Sequence, residues 1–404
     1  MRNYYLIANL AARHEIDLLT FVESEDELRC PTPPTTFCRR VEGVAVPKRS
    51  LARRAADTFL SSWPDMGLRL WSPAFAAKLD AWLADTHYDV VQVEGIELAR
   101  YLVGPKSQVA SRTRNLQYPI SNTQFVFDDH NCEYLLQRRT FETDLPNPKR
   151  WPGAAYSFLQ WRKLCAFEAS ICHAADRVVA VSDADAAALQ RLTPGLDVTV
   201  VPNGIDAESY AIPVSGPSPV GHLPSGEGRT NLVFTGTMDF RPNVDAALWF
   251  ALEVLPLVRQ HEPGARFLVV GQKPHRRLDV LREHGDVTLT GAVDDTRPYI
   301  AQAAVYVVPL RIGGGTRFKI LEAAAMGKAM VSTSLGCEGF PVKDGRELLI
   351  ADSPREFAEA VTALLRDPAR RAELGANARA LADVYDWKNI VPKMEAVYVK
   401  RQVQ

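Results

Sequence analysis

Residues Val305–Ser334 read "VYVVPLRIGGGTRFKILEAAAMGKAMVSTS": an apolar run, a glycine loop, a helical pattern and a second apolar run. Apolar runs joined by amphipathic helices indicate parallel strands that are covered on both faces. The same alternation starts upstream with the short apolar run "NLVFTG" at Asn231–Gly236. The C-terminal half is therefore predicted to be an α/β domain built on a parallel sheet.

The elements predicted for this half follow from that alternation. Strands are predicted at "NLVFTG", "ARFLVVG", "VTLTG", "AVYVVPL" and "AMVSTS". Helices are predicted at "NVDAALWFALEVLPLVRQ", "PHRRLDVLREHG", "TRPYIAQAA", Thr316–Met326, Pro354–Arg366, Pro368–Ala382 and Trp387–Arg401. Asn243, which opens the first of these helices, is predicted to be its N-cap.

The N-terminal half has a similar pattern. Strands are predicted at "EIDLLTFV", "VEGVAVP", "DVVQVEG", "QFVFDDH", "RVVAVS" and "VTVVPNG", and the longest helix at "AAYSFLQWRKLCAFEASICHAA". The sequence opens in a helical pattern, "RNYYLIANLAARH", whereas a sheet of this kind normally places a strand before its first helix. We expect either that this domain lacks that strand or that the sequence starts downstream of the natural beginning.

Length and composition indicate two globular domains. The chain has 404 residues, of which 47% are hydrophobic and 24% charged. The stretch Ala211–Thr230 is rich in proline, glycine and serine, and we place the domain boundary near this connector. The formal net charge of −1 excludes the basic footprint of a nucleic-acid-binding protein. An anionic partner is therefore expected to meet a local cluster of cations.

The cysteines and the hydropathy pattern indicate the cellular compartment of the protein. The six cysteines are scattered and show no metal-binding spacing, which favours a reducing cytoplasm. No apolar run reaches the ~18 residues expected of a membrane span, and no signal-peptide pattern opens the sequence. The sequence predicts a soluble cytoplasmic protein.

The glycine loop predicts an anion site. Gly313–Gly315 is not a P-loop, because no GK[ST] follows, and Phe318 stands at the third glycine position of a GxGxxG motif. A strand, a glycine turn and a helix N-terminus together form a geometry that binds anions. Arg317 and Lys319 lie in the predicted first helical turn, where cations are unfavourable. A bound diphosphate explains both residues; the alternative is that both side chains extend into water.

Glu322 adds to this pattern. It lies within the otherwise apolar stretch "ILEAAAMG", where a carboxylate must be paired, solvated or bonded to a ligand hydroxyl. An ion pair with Lys319 is the simpler alternative, and the two interpretations are compatible.

The stretches "FTGTMDFRPNVDAALWF", "VTLTGAVDDTRPYI" and "VPLRIGGGTRFKILEAAAMGKAMVSTSLGCEG" resemble family 4 retaining glycosyltransferases of the GT-B fold. The resemblance is strongest to bacterial sugar transferases of exopolysaccharide and cell-surface glycan assembly. It spans Asn231–Tyr398, and "DDHNCEY", "ADRVVAVSDADA" and "VPNGID" extend it into the N-terminal half. It implies two Rossmann-like domains with parallel sheets facing a central cleft. The implied parts are an acceptor-binding domain (1–204), a linker (205–230), a nucleotide-sugar-binding domain (231–384) and a helix that crosses back to the first domain (385–404).

The resemblance also implies roles for individual residues. Glu322 matches the second glutamate of the family's Glu–seven residues–Glu motif and would bond the donor ribose, while the base would lie near Gly291 and Val293. The donor diphosphate and sugar would be bound by Gly236, Thr237, Arg241, Gly313, Gly314, Gly315, Thr316, Arg317 and Lys319. The donor substrate would be a nucleotide-diphosphate sugar, with no separate cofactor.

The sequence departs from the family pattern at two places. Gly314 stands where the motif has its first glutamate, which usually touches the donor sugar, so the identity of that sugar is left open. The Arg and Lys that often follow the first glycine of the C-terminal domain are replaced by Thr237 and Asn243. We expect Arg317 and Lys319, together with Arg241, to supply the missing positive charge.

The resemblance implies transfer with retention and no metal. "DAD" at Asp183–Asp185 is interpreted as the start of a helix capped by Ser182. His130 ends a predicted strand, and the family has a histidine in this neighbourhood that contacts the donor sugar, so His130 is predicted to be catalytic. The alternative is a capping or core histidine. Glu168, in the longest helix, is predicted to form a salt bridge.

The sequence also leads to hypotheses about the acceptor and about two other functions. The implied acceptor is a glycan or a lipid-linked sugar. The basic and aromatic stretch "VPKRSLARRAADTFLSSWPDMGLRLW" allows peripheral contact with the inner face of the plasma membrane, and a solvated helix face is the alternative. Two other functions stay open: a nucleotide-sugar epimerase of similar architecture, for which no convincing acid and base residues stand out, and a non-catalytic donor-binding relative.

Overall fold

The computed structural model describes residues 2–24, 33–103, 123–211 and 230–399. The chain divides into two compact units, one made of Met1–Pro202 with Trp387–Gln404 and the other of Asn203–Asp386. Most of the predicted connector, residues 212–229, lies outside the described residues, as does Cys30. None of the described helices is both long and apolar enough to cross a membrane.

The first unit is an α/β structure with two parallel sheets, and its predicted strands all form. Its strands are β1 (Asp17–Val22), β2 (Arg40–Ala45), β3 (Val90–Glu94), β4 (Gln124–Asp129), β5 (Arg177–Ala180) and β6 (Val198–Val200). Its helices from the N-terminal half are α1 (Arg2–Leu10), α2 (Leu51–Leu60), α3 (Asp65–Arg69), α4 (Pro73–Asp85), α5 (Arg100–Val103), α6 (Glu133–Asp144), α7 (Trp151–Ala174) and α8 (Asp183–Leu192). Short 3₁₀ turns lie at Pro34–Thr36 and Pro148–Arg150. The strand orders are β1-β2 and β3-β4-β5-β6.

The second unit is a six-stranded parallel sheet covered by helices. Its strands are β7 (Asn231–Thr235), β8 (Arg266–Val270), β9 (Val287–Leu289), β10 (Val305–Val308), β11 (Met330–Ser332) and β12 (Leu349–Ile350), in the order β12-β11-β10-β7-β8-β9. Its helices are α9 (Ala207–Ala211), α10 (Arg241–Trp249), α11 (Leu255–His261), α12 (Arg297–Ala301), α13 (Phe318–Ala325), α14 (Pro354–Arg366) and α15 (Pro368–Val384). The order reverses between β7 and β10, which is where such sheets bind ligands.

The last helix, α16 (Trp387–Tyr398), belongs to the first unit. Trp387, Ile390 and Met394 are buried in one cluster with Leu6 of α1 and Val126 of β4. The Trp387 ring stacks on Tyr5 at 5.7 Å. The C-terminal segment is therefore part of the core of the unit that starts the chain.

Three helix predictions need correction. The helix predicted from Thr316 starts at Phe318, with Arg317 as its N-cap residue. The segment Arg276–Glu283 is a 3₁₀ helix. The long helix predicted from Asn243 starts at Arg241 because Pro242 favours the first turn of a helix, and a π-helical segment, Phe250–Val254, separates α10 from α11.

Candidate active site

The glycine turn between β10 and α13 is held by positive backbone angles. Gly313 has a φ of 107° and Gly315 a φ of 74°, which a residue with a side chain rarely adopts. A Cβ at Gly313 would also lie 3.1 Å from Arg317 Nη2 and 3.4 Å from Pro242. The turn therefore lets the Arg317 guanidinium lie close against the backbone.

The two cations of the turn occupy different environments. Arg317 precedes the helix and donates a hydrogen bond from Nη1 to the carbonyl oxygen of Gly314. Lys319 lies in the first turn, and its Nζ donates to Thr235 O at 2.8 Å and to Asn243 Oδ1 at 2.9 Å. The same ammonium lies 4.0 Å from the centre of the Phe234 ring. The Lys319 ammonium is thus directed into the protein, contrary to the alternative in which it extends into water.

Burial makes Lys319 an unusual lysine. Burial, followed by the charge of Arg317, lowers its pKa to about 7, and the charge of Glu322 opposes this shift. Near pH 7 the charged and neutral forms of the Lys319 amine therefore differ little in free energy. An anion placed beside it would raise the pKa and restore the charge.

Asn243 is not the N-cap of its helix. Phe240 takes that position, and Asn243 is a buried residue in the first turn of α10. Its Nδ2 donates to Thr237 O at 3.0 Å while its Oδ1 accepts from Lys319. Asn243 therefore holds the ammonium in place, a role that sequence reasoning missed.

Glu322 faces α9 instead of forming an ion pair. Its Oε1 accepts a hydrogen bond from the Tyr210 hydroxyl at 3.0 Å. Within the described residues, no ion pair joins Glu322 to Lys319. Burial raises the pKa of Glu322, while the Tyr210 hydrogen bond and the Lys319 charge lower it, and the net shift is upward. Sequence analysis did not single out Tyr210, because the two residues are 112 positions apart.

A cavity of about 230 Å³ brings these groups together beside the carboxyl ends of β7 and β10. Five residues predicted to bind the donor line it: Gly236, Thr316, Arg317, Lys319 and Glu322. Its other walls are Thr235, Phe240, Pro242, Asn243, Leu310 and Phe318. The cavity thus combines cations, a carboxylate and apolar walls at the point where the strand order reverses.

The other residues predicted to bind the donor lie outside the described lining of this cavity. The described lining includes neither Thr237 and Arg241 nor Gly313–Gly315, although the glycines form the turn that positions Arg317. Gly291 and Val293 follow β9 and also do not line it. Gly291 has a φ of 72°, and its carbonyl oxygen accepts from Thr290 Oγ1 at 2.9 Å.

His130 lies in the first unit, at the carboxyl end of β4. Its Nε2 donates to Glu94 Oε2 at 2.7 Å, and its side chain is 31% exposed. Burial lowers the pKa of His130, but the hydrogen bond and the charges of Glu94 and Asp128 outweigh burial and raise it overall. His130 is therefore paired yet reachable from solvent.

The register between β3 and β4 explains why Glu94 and Asp128 lie close together. Glu94 of β3 stands beside Asp128 of β4, so the residues that end the two strands meet at one edge of the sheet. Asp128 is buried and accepts two hydrogen bonds from Arg2 Nη2, at 2.9 and 3.2 Å, and one from Arg2 Nε at 3.1 Å. Burial raises the pKa of Asp128 to about 6 against the opposing charge of Arg2. Glu94 and Arg2 carry no local signal that sequence analysis could have used.

The predictions for the helix start at Asp183–Asp185 and for Glu168 have different outcomes. Ser182 caps α8, as predicted, by accepting a hydrogen bond from the Asp185 backbone N–H at 3.1 Å. Glu168 forms no salt bridge with any residue that the structure describes, contrary to the prediction, because its carboxylate is buried at the start of α6. There it accepts from the backbone N–H groups of Glu133 at 2.7 Å and Tyr134 at 3.0 Å. Glu168 therefore stabilises a helix N-terminus.

Comparison with known protein families shows to which family the chain belongs. The description "Glycosyltransferase Family 4" matches residues 2–209, and "Glycosyl transferases group 1" matches residues 229–367. The first match covers more than half of the chain, and the protein belongs to glycosyltransferase family 4.

The curated relatives include phosphatidyl-myo-inositol mannosyltransferases. The phosphatidyl-myo-inositol mannosyltransferase of Mycolicibacterium smegmatis is 31% identical over 229 residues, which are 54% of this chain and 56% of the relative. The enzyme of the same name from Mycobacterium tuberculosis is 29% identical over 233 residues, with 54% and 58% covered. The chain spans about half the length of the curated relatives it matches.

Solved structures identify the fold as GT-B. Sucrose-phosphate synthase from Thermosynechococcus elongatus matches with a TM-score of 0.70 and 19% identity, over 98% of this chain and 91% of that chain. Anabaena Alr3699/HepE, solved with UDP and glucose, matches with a TM-score of 0.63 and 16% identity, over 98% and 95%. At these identities the likeness shows the fold alone.

Proposed function

We propose that the protein transfers a hexose from a nucleotide-diphosphate sugar to a hydroxyl of a glycan or lipid-linked acceptor, with retention of configuration and without a metal ion. The transfer would serve exopolysaccharide or other cell-surface glycan assembly. Family membership supports glycosyl transfer, and the mannosyltransferase relatives favour a hexose. One observation carries the donor assignment: Arg317, Lys319 and Glu322 line a single cavity at the switch point of the second sheet.

In this proposal the cavity stabilises the leaving group. Negative charge accumulates on the diphosphate as the glycosidic bond breaks. The Arg317 guanidinium, the Lys319 ammonium and the N-terminus of α13 oppose that charge without needing to reorganise. Glu322, whose carboxylate is presented by Tyr210, accepts hydrogen bonds from the ribose hydroxyls. For the first unit, we assign His130 as a catalytic residue and Glu94 as the residue that orients its imidazole.

Helix α2 supports an acceptor at a membrane surface. Its apolar residues Leu51, Phe59 and Leu60 are 80%, 77% and 87% exposed. Asp57 instead faces the protein, where it pairs with Arg49 at 2.8 Å, and the Thr58 carbonyl oxygen accepts from Lys163 at 2.7 Å. An outward apolar face on a helix that also carries arginines suits an interface with anionic lipid.

A turnover assay tests the proposed function. The protein is incubated with a panel of nucleotide sugars, with and without phosphatidylinositol or a polyprenyl-linked sugar, in EDTA, and released nucleoside diphosphate is measured. We expect acceptor-dependent release and a product whose anomeric configuration, read by NMR, equals that of the donor. Isomerised nucleotide sugar would instead indicate an epimerase, and binding without turnover would indicate a non-catalytic relative.

Vesicle sedimentation tests the membrane part separately. A variant with Phe59→Ser and Leu60→Ser is expected to lose binding to anionic vesicles, while Leu252→Ser, at a 44% exposed residue of the second unit, keeps it. Donor hydrolysis in the absence of lipid should be equal in all three proteins. Equal vesicle binding by all three would contradict the assignment of α2.

A further inference from the structure

Three buried side chains meet at the carboxyl end of β4. Asp129 ends that strand, Cys132 immediately precedes α6, and Glu168 lies in α7. A carboxylate oxygen of Asp129, the Sγ of Cys132 and a carboxylate oxygen of Glu168 all lie within 4.8 Å of one another. The three residues are 1%, 1% and 0% exposed. A thiol and two carboxyl groups therefore share one small volume in the core of the first unit.

The alternation of side chains along β4 directs Asp129 into this volume. Phe125 and Phe127 point to one face of the sheet and pack with residues of α7. Asp129 continues that row. Asp128 points to the opposite face, where it is bonded to Arg2. The two neighbouring aspartates thus lie in different environments, and Arg2 neutralises only Asp128.

Asp129 lacks the partner that a buried carboxylate requires. Neither of its carboxylate oxygens has a hydrogen-bond partner among the described residues. Burial, followed by the charges of Glu168, Glu133 and Asp185, raises the pKa of Asp129 well above its usual range. A buried charge is stable only when it is paired, hydrogen-bonded or bound to a metal. The surroundings of Asp129 therefore call for a cation.

Glu168 and Cys132 are both able to bind an ion beside Asp129. Each oxygen of Glu168 accepts one backbone hydrogen bond, from Glu133 and from Tyr134. A carboxylate oxygen has two lone pairs, so each keeps one that can bind a metal. Burial, followed by the charge of Glu168, raises the pKa of the Cys132 thiol. The thiol therefore keeps its proton until a metal ion displaces it.

We propose that Asp129, Cys132 and Glu168 bind one zinc ion. Zinc takes thiolate sulfur at about 2.3 Å and carboxylate oxygen at about 2.0–2.2 Å, so one ion bridges these atoms after small side-chain movements. Magnesium and calcium prefer oxygen ligands alone, whereas a mixed set of sulfur and oxygen suits zinc. The thiol proton passes to solvent as the bond between sulfur and zinc forms.

The ion would fasten β4, the start of α6 and α7 to one another. Its role is structural, and the transfer proposed above needs no metal. Because all three ligands are buried, we expect the ion to enter during folding and to resist EDTA while the chain is folded. The inference is independent of the proposed function.

Metal analysis tests the site. The 404-residue protein is produced with zinc in the medium and dialysed against EDTA in the folded state. We expect about one zinc per chain, and less than about 0.2 in Asp129→Asn and in Cys132→Ser. Asp183→Asn, at an exposed acid, and Cys38→Ser, at another buried thiol, are the matched controls and should keep the ion.

Two further measurements do not depend on how well the variants fold. Zinc-edge X-ray absorption of the unaltered protein should show one sulfur ligand at about 2.3 Å. The unaltered protein refolded without zinc should unfold about 5 °C below the protein refolded with zinc. In Asp129→Asn the two refolded forms should unfold at the same temperature.

Three results would overturn the proposal. The first is less than about 0.1 zinc per chain in the unaltered protein. The second is zinc that is lost in Glu94→Gln but kept in Asp129→Asn. That result would place the ion at Glu94, Asp128 and His130, whose ligand atoms also lie within 4.8 Å of one another. The third is an infrared band of a protonated carboxyl group that disappears in Asp129→Asn, because a proton would then replace the cation.

Discussion

Lys319 and Asn243 are joined by a hydrogen bond of 2.9 Å, although 76 residues separate them in sequence. The bond ties the first turn of α13 to the first turn of α10, and the amide nitrogen of the same Asn243 side chain donates to Thr237 O in the turn after β7. The ammonium therefore has a fixed position above the Phe234 ring. This arrangement explains how a cation can occupy the start of a helix: two oxygen acceptors and an aromatic face surround it.

Binding of a nucleoside diphosphate is predicted to take up a proton at Lys319. Its pKa is lowered to about 7, so at pH 8 the Lys319 amine is neutral in most protein molecules before the ligand binds. The negative charge of the ligand then raises the pKa of this amine. Calorimetry at pH 8 in two buffers of different ionisation enthalpy should show uptake approaching one proton, and affinity should fall as the pH rises further. Lys319→Met should bind without uptake. Uptake that is zero in the unaltered protein, or unchanged in the variant, would refute this assignment.

The same pKa predicts the pH dependence of stability. A lysine whose folded-state pKa lies below its unfolded value of about 10.5 binds fewer protons when folded. Its contribution to the free energy of unfolding therefore increases as the pH rises from about 7 to about 10.5. Urea denaturation at pH 7 and pH 9.5 should show this increase to be smaller in Lys319→Met. An identical pH dependence in both proteins would speak against a depressed pKa.

Gly236→Ala is expected to damage the donor cavity. A Cβ at this position would lie 2.6 Å from Asn243 Nδ2 and 3.1 Å from Lys319 Nζ, so it would displace the pair. We expect about a tenfold or greater loss of nucleoside diphosphate affinity, which corresponds to about 1.4 kcal/mol. Gly285→Ala is the matched control, because no atom lies within 4 Å of its added Cβ. Equal affinities of the two variants would show that the pair does not bind the ligand.

Glu322 is predicted to select ribose over deoxyribose. Glu322→Gln replaces an acceptor of hydrogen bonds from the sugar hydroxyls, and Tyr210→Phe removes the group that orients it. Both variants should bind ribonucleoside diphosphates more weakly, with the larger loss in Glu322→Gln. Binding of the 2′-deoxy forms, which lack one of the two hydroxyls, should weaken less. The measurement is the ratio of the two dissociation constants. A ratio that equals that of the unaltered protein would exclude a ribose contact.

The pair of His130 and Glu94 is predicted to control turnover. Glu94→Gln removes the charge that raises the pKa of His130, so that pKa should fall in an NMR titration. Turnover should fall by about tenfold or more in Glu94→Gln and further in His130→Ala. Glu142→Gln, at an exposed ion pair with Arg138, is the control and should change neither quantity. Unaltered turnover in His130→Ala would remove this residue from the mechanism.

Much of the fold follows from sequence because its signals are local. The apolar runs of β4 and β7 and the cap at Ser182 are each decided within a few residues. The start of α13 was misplaced by two residues because Thr316 fits a helix as well as a turn. There its hydroxyl instead accepts from Asn203 Nδ2 at 2.7 Å.

The site was less predictable because its contacts are long-range. The glycine loop and its cations stand next to each other in sequence, so their grouping was predicted. Asn243, Tyr210 and Glu94 reach their partners only through strand order and helix packing. Their residue types are common on any helix or strand, and no local pattern distinguishes them.

The comparison of nucleoside diphosphate with nucleoside binding tests the account most directly. Affinities for both ligands are measured in the unaltered protein, in Arg317→Ala and in Lys319→Ala, with Arg355→Ala, at an exposed pair with Glu359, as control. The account predicts that each site variant loses about tenfold or more in diphosphate affinity while nucleoside affinity changes by less than about twofold. Equal losses for the two ligands would contradict a diphosphate site at these cations.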